Sequence, residues 1–173
     1  MVLTKEELIA AVRNEVRLLL HLTGKIDPAK LDYRPGGTQR STLELLQYLA
    51  IAAPVQIAVI RNVRFTRAEL GAAWGPAEAK AKTLNFDQAI AAIREQADEC
   101  ARSLDEWTDA EFRGEIDVFG AKFTRAAMLV NQVLAGYAAY RMQLFCYLKS
   151  CGREELNTVN LWYGADSMSV PAE

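Results

Sequence analysis

The sequence is poor in the residues that most often build catalytic and metal sites. It has one histidine, His21, and three cysteines, Cys100, Cys146 and Cys151, among 173 residues. The cysteines are odd in number and form no Cys-x-x-Cys pair, which favours reduced thiols in the cytoplasm. The sequence also has neither a Walker-type phosphate loop nor a Gly-x-Ser-x-Gly motif, which excludes the nucleotide-binding proteins and serine hydrolases that depend on them.

Charge of one sign and long hydrophobic runs are also lacking. The net charge is −2 and the basic residues are scattered, so the sequence predicts no nucleic-acid partner. The uncharged stretches 45–60 and 126–140 are shorter than the roughly 18 to 20 residues that span a bilayer. We therefore expect buried core helices and no membrane association. The early acidic residues of "MVLTKEELIAAVRNEV" predict that no signal peptide is present.

Four long helices are predicted from capping and periodicity. Capping boxes begin the first two, with Thr4 and Glu7 in one and Ser41 and Glu44 in the other. Apolar residues at three- and four-residue steps predict a third helix over 86–104. A fourth, capped by Thr124 and running over 125–151, is apolar nearly all round, which is typical of a central helix.

The connections are predicted to be mostly irregular. Residues 25–40 and 64–83 are expected to be loops, the latter with weak helical pieces, and Pro54 is expected to kink or split the second helix. Alternation around Gly120 in "EIDVFGAKF" suggests a small hairpin. These elements predict an all-α four-helix bundle in a single domain over 1–166, followed by a mobile tail over 167–173.

Most of the side chains that carry chemistry lie on the fourth helix. Tyr137, Tyr140 and Tyr147 occur within three turns, together with Arg141 and Gln143. Two interpretations remain open: the aromatic rings belong to the core, with hydroxyls bonded to backbone or water, or they line a small pocket.

The lone histidine has two interpretations as well. His21 lies in the last turn of the first helix, where a cation suits the negative end of the helix dipole. A role as general base or lone ligand would need a carboxylate or cysteine partner, and none is evident from the sequence.

Three stretches together resemble the DinB-like superfamily of putative metalloenzymes. They are "LDYRPGGTQRSTLELLQYLA", "AGYAAYRMQLFCYLKSCG" and "NTVNLWYGAD", and their order and spacing cover most of the chain. The resemblance implies a four-helix bundle with a long crossover connection, at most a short hairpin before the last helix, and often a dimer. Members with an intact site hold zinc or nickel with three histidines, and some are thiol-dependent transferases or isomerases.

The family's metal-ligand positions carry no histidine in this chain. Ser41 and Glu44 match the family pattern on the second helix, and Arg141 and Gln143 match it on the fourth. The three histidine positions hold other residues, namely Tyr48, Gly136 and Tyr140. Glycine has no side chain to donate, and a neutral phenol is a poor ligand. The resemblance therefore implies the scaffold, and we expect no metal and no cofactor.

These expectations favour a non-catalytic role. We expect a small-molecule-binding or protein-interaction module that forms a homodimer, with a pocket at Tyr48, Gly136 and Tyr140. Glu44, Gln143 and Arg141 would support that pocket. The first alternative is a metal-independent enzyme, transferase-like or thiol-related, that uses a tyrosine-lined pocket. The second is a metal site that combines Glu44 with Cys146 or His21.

Overall fold

A computed structural model of the chain describes residues 3–62 and 64–168. A 3₁₀ turn (Pro28–Lys30) lies between the first two helices, and a π-helical turn (Val130–Leu134) lies inside the last long one. The other elements are, in chain order, α1 (Lys5–Thr23), α2 (Thr42–Ile60), β1 (Arg64–Phe65), α3 (Arg67–Ala81), α4 (Phe86–Asp105), α5 (Asp109–Arg113), β2 (Glu115–Val118), β3 (Ala121–Thr124), α6 (Arg125–Leu129), α7 (Ala135–Ser150) and α8 (Thr158–Tyr163).

The four long helices form one bundle, which confirms the predicted fold class. Helix α4 packs on α1 and α2, and α7 packs on the same two helices. The bundle encloses a core of leucine, isoleucine, valine and aromatic side chains. A long crossover connects α2 to α4 and contains β1 and α3.

The predicted capping boxes begin α1 and α2. The Thr4 hydroxyl accepts from the Glu7 amide at 3.1 Å, and the Glu7 carboxylate accepts from the Thr4 amide at 2.7 Å. Ser41 and Glu44 form the same pair of bonds at 3.2 and 3.0 Å. Such caps typically contribute about 1 kcal/mol each.

The predicted loop over 64–83 is wrong, because most of it forms α3. Thr66 and Glu69 form a third capping box at its start. The helix buries only Ala81, and it contains Gly71, Gly75 and Pro76. No apolar stripe marked it in the sequence, since it lies along one side of α2 and outside the core of the bundle.

Helix α2 is continuous through Pro54, so the proline does not split it. Among the described residues, α2 is the one helix long and apolar enough to cross a membrane, with a mean hydropathy of 1.7. It packs against α3, α4 and α7, and one of its nineteen residues, Ala58, is exposed. It therefore occupies the place of a core helix, as its uncharged sequence predicted.

The predicted hairpin is present as β2 and β3. The strands pair antiparallel around a two-residue turn in which Phe119 and Gly120 both have positive φ, at 53° and 89°. This is the geometry of a tight type I′ turn. Strand β1 adds a parallel pair on β2, which the sequence did not predict.

The last long helix runs over 125–150, close to the predicted 125–151, with the π-helical turn inside it. The Thr124 hydroxyl caps it by accepting from the Ala127 amide at 3.2 Å. Beyond α8, the Asp166 carboxylate lies 2.6 Å from the Lys25 ammonium. Of the predicted mobile tail, residues 169–173 lie outside the described part of the chain, and the domain boundary at 166 stays a prediction.

Candidate functional site

Two tyrosine rings meet where the resemblance places metal ligands. Tyr48 on α2 and Tyr140 on α7 have ring centroids 4.9 Å apart, with the ring planes at 57°. Gly136 lies one turn before Tyr140 on the same face of α7. The structure therefore brings all three predicted site positions together. The side chains that meet there are aromatic, and they contact each other directly.

Two further side chains enclose the Tyr48 ring. The Trp74 indole of α3 stacks on it, with centroids 5.4 Å apart and planes at 12°. The Arg40 guanidinium, just before α2, lies 4.0 Å from the Tyr48 ring centroid. Stacking and cation–π contacts of this kind typically contribute about 0.5 to 1.5 kcal/mol each. Tyr48 is thus the centre of an aromatic cluster, which we define as Tyr48, Trp74 and Tyr140.

A small cavity of about 20 Å³ lies beside Gly136. That volume is about enough for one water molecule. Its wall includes Tyr48, Tyr140 and Gln56, whose side-chain oxygen is buried and has no hydrogen-bond partner within the described structure. The missing side chain of Gly136 therefore leaves a water-sized space, since the tyrosine rings fill the rest.

Two larger cavities open on either side of Arg40 and Tyr48. The first, of about 530 Å³, lies between the start of α2 and the end of α3. The second, of about 480 Å³, lies along α3. Arg40, Tyr48 and Glu78 line both, so we treat the two together as one cleft, the α2–α3 cleft. Volumes of this size suit small organic ligands.

The cations of the cleft differ in their partners. Arg34 makes a bidentate pair with Glu44, at 2.5 and 2.6 Å, and Lys82 lies 3.4 Å from Glu78. The guanidiniums of Arg40 and Arg67 are exposed and have neither a hydrogen bond nor an ion pair among the described residues. These two cations are therefore the ones available to a ligand.

Two of the predicted supporting residues hold the walls of this site. Glu44 combines its cap on Ser41 with the Arg34 pair, and these bonds lower the pKa of its carboxyl group. Gln143 donates to the Tyr147 hydroxyl at 2.7 Å, and that hydroxyl donates to the Arg40 backbone oxygen at 2.9 Å. Gln143 thus supports the site through the backbone that carries Arg40.

The third predicted supporting residue, Arg141, points away from the tyrosines, toward α1 and α8. Its guanidinium pairs with Glu15 of α1 at 2.8 Å and donates to the Leu161 carbonyl, and the side chain is 3% exposed. It joins α1, α7 and α8, and the structure does not bring it to the tyrosines.

The side chains considered for another metal site have different surroundings. His21 lies 3.3 Å from the Asn160 amide and 3.6 Å from Asp166. Cys146 is exposed, and Cys100 is buried in the core. Within residues 3–62 and 64–168, no group of three histidine, cysteine, aspartate or glutamate side chains is arranged to hold a metal ion. The Glu44 carboxylate is paired with Arg34.

The environment of Tyr48 keeps its hydroxyl protonated. Burial, a hydrogen bond with Tyr140 and the proximity of that residue raise the pKa of Tyr48, and Arg40 opposes the shift only in part. A general acid or base is most effective when its pKa lies near the working pH. The shift moves Tyr48 away from that range, so its surroundings do not activate it for proton transfer.

Burial also predicts a loss of stability in alkaline solution. Desolvation, with Glu99 nearby, raises the pKa of the Cys100 thiol from 9.0 to about 12. The folded chain then holds this proton more tightly than the unfolded chain. The contribution of the thiol to the free energy of unfolding is therefore complete below pH 9 and is lost between pH 9 and about 12. In urea titrations above pH 9, we expect the Cys100 thiol alone to lower the free energy of unfolding by up to about 1.4 kcal/mol per pH unit.

The Cys100→Ala variant is the control for that titration. It should be less stable overall because of its lost packing, yet its free energy of unfolding should fall less steeply between pH 9 and 10. Equal slopes for the two proteins would contradict the prediction.

Gly136 provides a test of the empty space beside it. A Cβ added at this position has no atom within 4 Å outside its own helix, apart from its chain neighbours. Because glycine costs about 1 kcal/mol relative to alanine inside a helix, Gly136→Ala should raise the free energy of unfolding by about that amount. Gly114→Ala is the matched contrast, since its Cβ would lie 2.6 Å from an Arg125 nitrogen and 3.1 Å from the Ala110 carbonyl. That variant should be destabilised, and a destabilised Gly136→Ala would show that the space is needed.

Sequence reasoning missed three residues of this site: Arg40, Gln56 and Trp74. The one available signal was the Thr66–Glu69 capping box, which predicts a helix that would carry Trp74. Nothing in the sequence indicated that Trp74 would stack on Tyr48, because the contact joins two elements across the crossover.

The comparisons with known proteins agree with the fold. No protein-family model matches the chain, and no curated protein matches it significantly. The crystal structure of a DinB-like protein, YjoA, from Bacillus subtilis matches with a TM-score of 0.64 and 18% identity. The match covers 87% of this chain and 95% of that chain. The chain therefore has the DinB-like fold predicted from its sequence.

Proposed function

We propose that this DinB-like bundle is a non-catalytic module that binds a small organic molecule in the α2–α3 cleft. The observation that carries the proposal is the direct contact of the Tyr48 and Tyr140 rings beside a cleft of ligand size. The rings occupy the space in which a metal and a reacting group would meet. The open volume lies on the outer side of Tyr48, where it is bounded by aromatic and charged side chains.

The chemistry of the cleft suits binding better than catalysis. Its aromatic wall offers a flat apolar surface, and its unpaired guanidiniums offer hydrogen-bond donors. A metal-independent enzyme would need an activated group, and the raised pKa of the Tyr48 hydroxyl argues against it as a proton donor or acceptor near neutral pH. We therefore place the enzyme alternative second. The homodimer and the cytoplasmic location stay predictions.

A fragment screen by saturation-transfer NMR tests the proposal. Water-soluble fragments are mixed with the intact protein, with Trp74→Ala and with Trp162→Ala. Trp162 is the matched control because it is a 61% exposed tryptophan on α8, away from α2 and α3. We expect a set of fragments whose signals disappear in Trp74→Ala and persist in Trp162→Ala.

Two results would contradict the proposed binding function. One is the absence of any fragment that depends on Trp74. The other is turnover, seen as a fragment converted by the intact protein but not by Tyr48→Phe.

A further inference from the structure

The part of the α2–α3 cleft along α3 carries an excess of available positive charge. Arg40 and Arg67 both line this cavity of about 480 Å³, and neither guanidinium makes a hydrogen bond or a close ion pair among the described residues, although the charge of Glu44 interacts with that of Arg40. Glu78, the acidic side chain in the same wall, is already paired with Lys82 at 3.4 Å. Because a guanidinium recognises a carboxylate through two parallel hydrogen bonds, this cavity is suited to an organic anion.

The floor of the cavity is flat and apolar. Tyr48 and Trp74 stack nearly parallel, and half-buried Leu70 lies beside them. Tyr48 already contacts Trp74, Tyr140 and Arg40, so the surface left for a planar ligand body is the indole face of Trp74 that points away from Tyr48. The Arg40 guanidinium lies against the same Tyr48 ring, 4.0 Å from its centroid, so it borders the floor on which the planar body would rest.

The wall contains a buried acceptor without a partner. The side-chain oxygen of Gln56 is inaccessible to solvent and receives no hydrogen bond in the described structure. An unsatisfied buried acceptor costs about 1 to 3 kcal/mol. Gln56 lines both the 480 Å³ cavity and the water-sized space at Gly136. A ligand in the open cavity cannot reach this inaccessible oxygen, whereas one water molecule in the space beside Gly136 would satisfy it.

We infer that the cleft binds a planar organic carboxylate. The carboxylate pairs with Arg40, and the planar body rests on Trp74. This assignment rests on the proposed binding function and adds the chemical class of the ligand.

The test compares an anionic probe with a neutral probe of nearly the same shape. Binding of 4-aminobenzoate and of neutral 4-aminobenzamide is measured by NMR titration of the intact protein at low salt. Both have the same ring and the same amine donor. Because hydrogen bonds to a charged partner contribute more than neutral ones, we expect the carboxylate to bind at least about tenfold more tightly. The Arg40→Gln variant should remove most of that preference.

Arg13→Gln is the matched control for Arg40→Gln. Arg13 is an exposed arginine on α1 that pairs with Asp98 at 3.4 Å, outside the cleft, and its loss should leave the preference unchanged. The Trp74→Ala variant should weaken both probes alike, because both carry the same ring.

The possible failures are distinguishable. Equal binding of the two probes would overturn the ligand class and leave the binding function standing. A preference that survives both Arg40→Gln and Arg67→Gln would place the anion elsewhere and overturn the assignment. If neither probe binds and no fragment depends on Trp74, the binding function itself is wrong.

Discussion

Replacing Tyr48, Gly136 and Tyr140 with histidine should create a zinc site in a protein that we expect to lack one. Positions 136 and 140 share a face of α7, and Tyr48 faces them from α2 with its ring centroid 4.9 Å from that of Tyr140. An imidazole is shorter than a phenol, so the substitutions open a space between the helices at the tyrosine contact. A Cβ at position 136 meets no atom within 4 Å outside its own helix, apart from its chain neighbours. Three imidazoles can then approach one ion at the roughly 2.0 to 2.1 Å that zinc requires.

Calorimetric titration measures zinc binding by the triple variant, and thermal unfolding measures the stability that binding adds. At a zinc concentration about a hundred times Kd, binding should stabilise the folded triple variant by about 2.7 kcal/mol. For a chain of this size that corresponds to a rise in Tm of roughly 5 to 10 °C. The double variant Tyr48→His/Tyr140→His retains glycine at 136 and should bind zinc far more weakly. If the triple variant folds but gains no zinc-dependent stability, these three positions do not converge as the structure indicates.

The second large effect is expected from Arg141. Its guanidinium is 3% exposed and bonds to the Glu15 carboxylate, which is 14% exposed, and to the Leu161 carbonyl. Removing one partner of a buried pair leaves the other charge without compensation, at a cost of about 3 to 5 kcal/mol. We therefore expect Arg141→Met to lower the free energy of unfolding by about that amount in urea titrations.

Two controls define that measurement. Arg13→Met breaks an exposed pair, with side chains 55% and 71% accessible, and should change stability by less than about 1 kcal/mol. Adding Glu15→Gln to Arg141→Met should recover part of the loss, since the uncompensated charge is then gone. A loss below about 1 kcal/mol for Arg141→Met would mean that this pair does not hold α1, α7 and α8 together.

The four long helices were predictable because local signals and burial agree in them. Thr4 and Ser41 begin helices through caps that depend on neighbouring residues alone, and α4 displays an apolar stripe at helical spacing. Helix α3 was missed because its stabilising contact is tertiary: Trp74 stacks on Tyr48, while most other α3 side chains face solvent. An apolar pattern in the sequence indicates burial in a core, and α3 buries few of its side chains there.

The sequence predicted which positions come together at the candidate site, but it did not predict which side-chain contacts form there. The resemblance at Ser41, Glu44 and Tyr48 on one helix and at Gly136 and Tyr140 on another predicted positions that lie together in the structure. The same pattern also pointed to Arg141, whose guanidinium turns toward Glu15 because its place on α7 faces α1. The contacts of Arg40 and Trp74 with the Tyr48 ring join segments distant in sequence, so no local motif reveals them.

Metal content measured by mass spectrometry on the untagged, unmodified protein tests the central claim most directly. The protein is analysed as purified, and again after loading with zinc or nickel and desalting. The account predicts well under one metal ion per chain in every sample, because the side chains at Tyr48, Gly136 and Tyr140 offer no strong ligand. One tightly held metal ion per chain would contradict it and would make the chain a metalloprotein with a different ligand set.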